Sequence, residues 1–383
     1  MVSHTKSEFG ILTVENDSFF PYGKQVFFLE DMMRSFPNRT FDVFFFSPLD
    51  YVEGKSTVKG YKFVDEKWIA VAEEIPDIVY DRAFSTDDEC KQIIKNFRDF
   101  LASTDKLIFN PFEMMYLLND KTAFHEFLIE KNIPTLGNHP VAVLTSESFF
   151  ETLETTKVYI KPTFGSQGRG IYVLEKRANA FVLFDNTGTA ETFSEYSDVH
   201  AKIMSLIDNP ARYFVQEAAQ IALYEEAPFD IRVLVQNYRN KYSVTGHAVR
   251  IGEQHSMTSN LSSGGSALPL EHLDAFFQKN YKKSAQEIEK QMYQLCLHCA
   301  HEIQKTFGDF VEIGFDVLCT KNYGPILIEA NSKPSRWVFN VVSDYLTNRN
   351  ELEAAAYYKG LRTKTVKAPL LYADYLLEMQ KLS

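Results

Sequence analysis

Cysteine is scarce in this chain: Cys90, Cys296, Cys299 and Cys319 are the only four among 383 residues. So few cannot build a disulfide scaffold, and they fit a reducing compartment. A basic surplus is missing too, because 51 Asp and Glu outweigh 40 Lys and Arg for a formal charge of −11. General nucleic-acid or anionic-membrane binders need the opposite balance, so neither partner is expected, although local basic residues could still hold a nucleotide. No apolar run approaches the ~18 residues of a membrane span, and the N-terminus has no charged-then-apolar signal pattern. A soluble cytoplasmic protein is the expectation. Internal repeats and low-complexity segments are absent as well.

Apolar material is plentiful: 45% of residues are hydrophobic, 14% aromatic, and the chain exceeds what one core usually serves. Two or three subdomains are therefore expected. Cys296-Leu-His-Cys299 invites a zinc or redox reading, but it lies in a helix-like run from Ser284 to Phe307 without a second ligand pair at suitable spacing. Core packing is the expectation there.

Phe9 to Val14 reads as a short apolar strand and Val26 to Ser35 as a helix, and the run Phe41 to Phe46 is apolar without alternation, which suits a sheet buried on both faces. After turns around Gly54 and Gly60, a strand (Ile78 to Arg82), a helix (Asp87 to Ser103) and a strand (Lys106 to Asn110) continue an α/β pattern. Ligands in open α/β sheets gather beyond the carboxyl ends of strands, so Asp81 and Arg82 are candidate substrate contacts, with a loop ion pair as the plainer reading. Asp120 is suited to cap a helix over Thr122 to Lys131, and Pro134 and Pro140 bracket a linker-like piece.

Val158-Tyr-Ile-Lys161-Pro162 precedes Gly165-Ser166-Gln167-Gly168-Arg169-Gly170, and a second strand follows. Small residues between two strands let backbone N–H groups approach phosphate oxygens, or they form a simple hairpin turn. The spacing is neither a P-loop nor a Rossmann fingerprint. Tyr213 to Glu225 reads as a strand running into a connection, whose backbone could face a base edge and whose Glu225 could accept from ribose hydroxyls. Alternation in Phe229-Asp-Ile-Arg-Val-Leu-Val235 puts Asp230 and Arg232 on one face, and a turn across Asn237 to Asn240 brings Arg250 into the same sheet. Asn260-Leu-Ser-Ser-Gly-Gly-Ser266 is a polar loop able to close over an anion or to serve as a linker.

The strongest signal is Val311 to Cys319 followed by Pro325 to Ser335, an antiparallel hairpin whose turn is expected between Asn322 and Tyr323. Without a bulge, Asp316 then faces Glu329, and Glu329 and Asn331 share its side of the sheet. Opposed carboxylates need a cation or a shared proton, and hard oxygen donors that leave room for water and phosphates suit Mg2+. A surface hairpin of solvated acids is the alternative. From Asn340 onward the chain reads as helical and peripheral.

Lys161-Pro ahead of the glycine-rich loop, Gln216-Glu217, Asp230-Ile-Arg232, Arg250, Asn260-Leu-Ser-Ser-Gly-Gly, Asp316 and Glu329-Ala-Asn331-Ser stand in an order that resembles the ATP-grasp superfamily. Within it, the chain looks like the YheC/YheD branch, endospore coat-associated proteins of Gram-positive spore formers. The resemblance is strong from Asn110 to Ser335 and looser before that. It implies an α/β and α+β architecture: a pre-ATP-grasp α/β domain over residues 1–110, then ATP-grasp subdomains over 111–212 and 213–383.

By position, the resemblance makes Lys121 and Lys161 nucleotide-binding lysines and Gly165 to Gly170 the phosphate flap. Gln216, Glu217 and Ala218 match the adenine hinge, and Glu225 the ribose carboxylate. Asp316, Glu329 and Asn331 match magnesium ligands. Arg232 and Arg250, with Asn260 in the neighbouring loop, match groups that hold the acceptor carboxylate or the γ-phosphate. The implied cofactors are ATP and Mg2+. The implied activity is carboxylate–amine ligation through an acyl phosphate, on small-molecule carboxylate and amine substrates such as amino acids or peptides. A homodimer and association with the forming spore coat go with the same resemblance. A coat-associated structural protein that keeps a nucleotide-binding fold is the alternative, and a kinase that stops at phosphoryl transfer is a third.

Overall fold

The computed structural model of the chain describes residues 8–15, 19–85, 87–152, 156–165, 170–185, 187–254, 259, 261, 264–321 and 324–382. Its first sheet is built from β1 (Phe9–Leu12), β2 (Val43–Phe46), β3 (Val58–Val64), β4 (Lys67–Glu73), β5 (Ile78–Asp81) and β6 (Leu107–Phe109), with α1 (Gln25–Ser35) and α2 (Asp88–Ala102) between strands. Strand order is β4-β3-β2-β1-β5-β6, and β1 runs parallel to both β2 and β5. Unbroken apolar runs arise because alternate residues enter different cores. Phe9, Ile11, Phe45 and Tyr80 pack with α1, while Leu12, Phe44, Phe46 and Val79 pack with α2.

Gly60 lies inside β3, not in a turn as expected: a Cβ there would collide with the carbonyl oxygen of Phe45 on the neighbouring strand. The turn falls at Asp65 and Glu66, both at positive φ, which closes a two-residue hairpin between β3 and β4.

After α3 (Phe112–Asn119) and α4 (Lys121–Glu130), the second sheet contains β7 (Asn138–Pro140), β8 (Lys157–Pro162), β9 (Tyr172–Arg177), β10 (Ala180–Phe184), β11 (Ala190–Phe193) and, beyond α5 (Tyr196–Leu206), β12 (Tyr213–Glu217). The order is β11-β10-β9-β8-β12-β7. The piece between Pro134 and Pro140 is thus not simply a linker: it supplies an edge strand, a position that tolerates Pro140 without an N–H.

The third sheet takes β13 (Phe229–Tyr238), β14 (Lys241–Ile251), β15 (Ser266–Leu268), β16 (Glu312–Thr320) and β17 (Gly324–Asn331), with α6 (Asp274–Tyr281) and α7 (Ala285–Phe307) inserted before the final hairpin. It is antiparallel, in the order β15-β14-β13-β16-β17. Ile231, Val233, Phe315 and Val317 face α7, which Ser284 and Glu287 start with a reciprocal capping box. Cys296 and Cys299 lie in that core, fully buried, and burial pushes both thiols well above their ordinary range. Among the described residues, no group of three His, Cys, Asp or Glu side chains is placed to hold a metal.

Part of the opposite face is covered by α8 (Trp337–Asn348) and the start of α9 (Leu352–Leu382). The second half of α9 is not peripheral. Leu370 and Ala373 are fully buried against the first sheet, and Tyr372 meets Phe109 edge-on at 5.3 Å. A 31-residue helix carrying small and aromatic residues on the face it turns to a second core shows little of this in its own periodicity. Asn110 also joins the first and third sheets, donating to the carbonyls of Glu312 (2.9 Å) and Ser332 (2.8 Å) and accepting from the N–H of Val311 (2.8 Å). No helix of the described residues is long and apolar enough to cross a membrane.

Candidate nucleotide and metal site

Two displacements cancel in the β16–β17 hairpin. Pairing of Thr320 with Gly324 centres the turn on Asn322, half a residue from the expected centre, and alone would place Asp316 opposite Ile328. A register shift between Asp316 and Val317 absorbs the extra residue and sets Asp316 opposite Glu329. Asn322 and Tyr323 themselves lie outside the described residues.

Strand β13 adds the cations. Arg232 lies opposite Asp316 and Asp230 opposite Arg250, so all four side chains share one face. Arg232 donates to Asp316 through Nε (2.6 Å) and Nη2 (3.2 Å). Arg250 forks onto Asp230 at 2.7 and 2.6 Å, and its Nη2 also reaches Asp316 at 3.0 Å. Ser259 donates to Asp230 at 2.5 Å. Burial alone would raise the Asp316 carboxyl, but Arg232 and Arg250 outweigh it and hold it below the usual carboxylate range. For Asp230 burial wins over the Arg250 guanidinium, and its carboxyl is pushed up. Asp230 entered the sequence reading only as a neighbour of Arg232. Alternation placed it on this face, but only the β13–β14 register shows that it holds Arg250.

The lysines come from α4 and from the second sheet. Asp120 caps α4 by accepting from the N–H groups of Thr122 and Ala123, which places Lys121 at the helix start. From there Lys121 Nζ donates to the carbonyl of Gly165 at 2.6 Å and stands 3.7 Å from Glu329. Lys161, on β8, donates to Gln216 Oε1 at 2.7 Å and lies over the Tyr159 ring. Burial pushes its ammonium down to about 8, Glu329 opposes that shift, and Lys121 adds to it. Both lysines therefore feel Glu329, Lys161 from the neighbouring sheet and Lys121 from the start of α4.

Gly165 and Gly170 carry φ of +143° and +70°, backbone that side chains rarely adopt, at either side of the flap. Ser166, Gln167, Gly168 and Arg169 lie outside the described residues, and so does Asn260. Gln216 is held by Lys161 and donates to Asn138 at 2.8 Å. The N–H groups of Glu217 and Ala218 are taken by the carbonyls of Gly137 and Lys157, so the sheet uses these two donors. Glu217 also meets His139 at 3.1 Å. Glu225 sits at positive φ in an exposed turn beside Tyr224, and no contact among the described residues joins it to Lys161 or Glu329.

The donor set on the sheet fits magnesium. An ionised carboxylate offers about four lone-pair directions. Asp316 engages three N–H contacts, and Glu329 is partly exposed with, among the described residues, only a 3.7 Å lysine approach, so both retain acceptor capacity. Asn331, paired with Gly314, follows two residues after Glu329 on the same strand. Two carboxylates and an amide oxygen, without a closed protein cage, match an ion that keeps water and phosphate ligands.

Residues 102–376 match the model of the YheC/D-like ATP-grasp family. Endospore coat-associated protein YheD of Bacillus subtilis (strain 168) is 28% identical over 340 residues, covering 84% of this chain and 70% of the relative. Endospore coat-associated protein YheC of the same organism is 26% identical over 299 residues, covering 76% and 80%. Among solved structures, D-alanyl-alanine synthetase A of Vibrio cholerae O1 biovar eltor aligns with a TM-score of 0.54 at 10% identity, covering 94% of this chain and 99% of that one. That similarity concerns the fold. With three sheets in this order and a family match over most of its length, the chain belongs to the YheC/D-like ATP-grasp family.

Proposed function

We propose that this chain is an ATP-dependent carboxylate–amine ligase that forms an amide or peptide bond through an acyl phosphate, releasing ADP and phosphate. One observation supports the reading: Lys121, at the start of α4, and Lys161, on β8 of the second sheet, both interact with Glu329, which pairs across the hairpin with Asp316 and so with its partners Arg232 and Arg250. A carboxylate attacking a triphosphate brings two anions together, and a cation-lined cleft is what such a reaction requires.

In this reading Lys121 and Lys161 bind nucleotide phosphates; Asp120 caps the helix that Lys121 begins, and Gln216 accepts from Lys161. Asp316, Glu329 and Asn331 would hold Mg2+, which when bound screens the phosphate charge. Arg232 and Arg250 orient the substrate carboxylate, and Asp230 fixes Arg250 on that face of the sheet. An acyl phosphate hydrolyses readily, so the reaction calls for water to be excluded, a role we assign to the glycine-rich segment between β8 and β9. Names of the relatives suggest a spore-coat setting, and we extend that to this chain as part of the proposal.

The test is ADP release with ATP, Mg2+ and a library of amino acids and short peptides. Activity with at least one pair is expected, and Glu329→Gln should lower kcat/KM by about 10²–10³, the range for loss of a preorganised electrostatic group. Absence of ADP release with every pair, or full activity in Glu329→Gln, rules the reading out.

A further inference from the structure

Beyond the carboxyl end of β5, four cations gather around two acids. Asp81 is held by Arg98 at 2.7 Å and by Lys333 Nζ at 2.8 Å, and Lys333 also donates to the carbonyl of Ala83. Glu312 is paired with Arg336 and lies 3.6 Å from Arg82. None of these six side chains is more than 16% exposed. Three guanidinium groups face two carboxylates, and burial pushes the Lys333 ammonium down to about 7, so positive charge is in excess where water is largely excluded, an arrangement that favours an added anion.

The guanidinium carbons of Arg82 and Arg336 stand 4.7 and 4.9 Å from the centre of the Phe28 ring, so one aromatic side chain carries both cations. The Nε atoms of both arginines are buried without a hydrogen-bond partner among the described residues. Each arginine is at least nine-tenths buried. Unpartnered buried donors are uncommon and point to a missing acceptor. Around them Phe27, Phe84 and Trp337 are more than half exposed, each within two residues of Phe28, Arg82 or Arg336.

The cluster is connected to the ligase site through β16. Glu312, Gly314 and Asp316 are alternate residues on one face, and four residues at ~3.4 Å put Glu312 about 14 Å from Asp316. Pro334 packs over Gly314 between them, where a Cβ would stand 2.6 Å from the proline.

We propose that Arg82, Lys333 and Arg336 receive a second carboxylate of the ligation substrate. The substrate class is then an acidic peptide or an acid of similar reach, since ~14 Å corresponds to about four extended residues. This inference rests on the ligase reading and adds to it the class of substrate.

In the test, ADP release by the full chain is measured with ATP, Mg2+ and di- to pentapeptides that all keep the reacting carboxylate and carry the second acid as a free carboxylate, as its carboxamide (Glu against Gln) or as a phosphorylated analogue. Free acids should exceed carboxamides about tenfold or more in kcat/KM, through KM, as expected for a charge-assisted contact. Lys333→Gln should raise the KM of the acid towards that of the amide, and Arg82→Lys, which keeps the charge, should retain most of the preference. Equal kcat/KM for acid and amide overturns the inference and leaves the ligase reading standing. Preference for phosphopeptides overturns the carboxylate assignment. If neither the amino-acid library nor any peptide supports ADP release, the ligase reading falls. The acid–amide pairs are then compared by equilibrium binding with a non-hydrolysable ATP analogue, where tighter binding of the acid supports the inference and equal affinity overturns it. The wild-type comparison needs no variant, so a folding failure of Lys333→Gln leaves the test intact.

Discussion

Replacing Glu312 with Gln keeps the shape of the side chain and removes its charge at the point where the first and third sheets meet. Glu312 is fully buried and accepts from Tyr80 (2.6 Å), Gln236 (2.9 Å) and Arg336. Burial works to lower the Arg336 guanidinium, but Glu312 and Tyr80 outweigh it and hold the group charged. In Glu312→Gln, Arg336 stays buried and loses its counter-charge, and the amide cannot accept from all three former donors. Breaking a buried pair from one side costs about 3–5 kcal/mol. Equilibrium denaturation followed by far-ultraviolet circular dichroism measures the loss. In a cycle with Arg336→Met, the double variant should recover about 2 kcal/mol of it, because neither charge is then left alone. A loss below ~1 kcal/mol for Glu312→Gln, or strict additivity in the cycle, would refute the view that this carboxylate holds the junction together.

Lys161 gives a pH-dependent expectation. Its ammonium is pushed by burial to about 8, below the ordinary lysine value, so between those two values the unfolded chain binds more protons and stability rises with pH. Lys161→Met should therefore stabilise the nucleotide-free chain near pH 7, with the difference from wild type shrinking towards pH 10.5; thermal unfolding across that range checks it, and a constant difference would show that Lys161 is not desolvated. Asn110→Ala leaves two backbone carbonyls and two N–H groups without their partner, and a loss of about 3 kcal/mol is expected in denaturant titration. An Asn110→Asp variant should not rescue it, since a carboxylate cannot donate to Glu312 and Ser332.

Local periodicity made much of the third sheet legible. Side chains alternate along a strand whatever it packs against, so Asp230 and Arg232 could be assigned to one face, and Glu329 and Asn331 to another pair of matching positions, from spacing alone. Asp120 was readable as a cap because its hydrogen bonds reach only two and three residues ahead. Non-local facts were not readable in this way. The bulge that sets Glu329 opposite Asp316 depends on how the hairpin closes, and the Arg250–Asp230 fork depends on the β13–β14 register.

By itself, the sequence determined the four long strands of the third sheet, the order of the charged positions and which of them share a face within a strand, because those follow from chain geometry over a few residues. Only the tertiary structure decided that Lys121 approaches Glu329, that α9 fills the first sheet's core and that Arg82, Lys333 and Arg336 come together. Those neighbours are brought close by burial of apolar surface, which acts on the whole chain and leaves no local spacing to read.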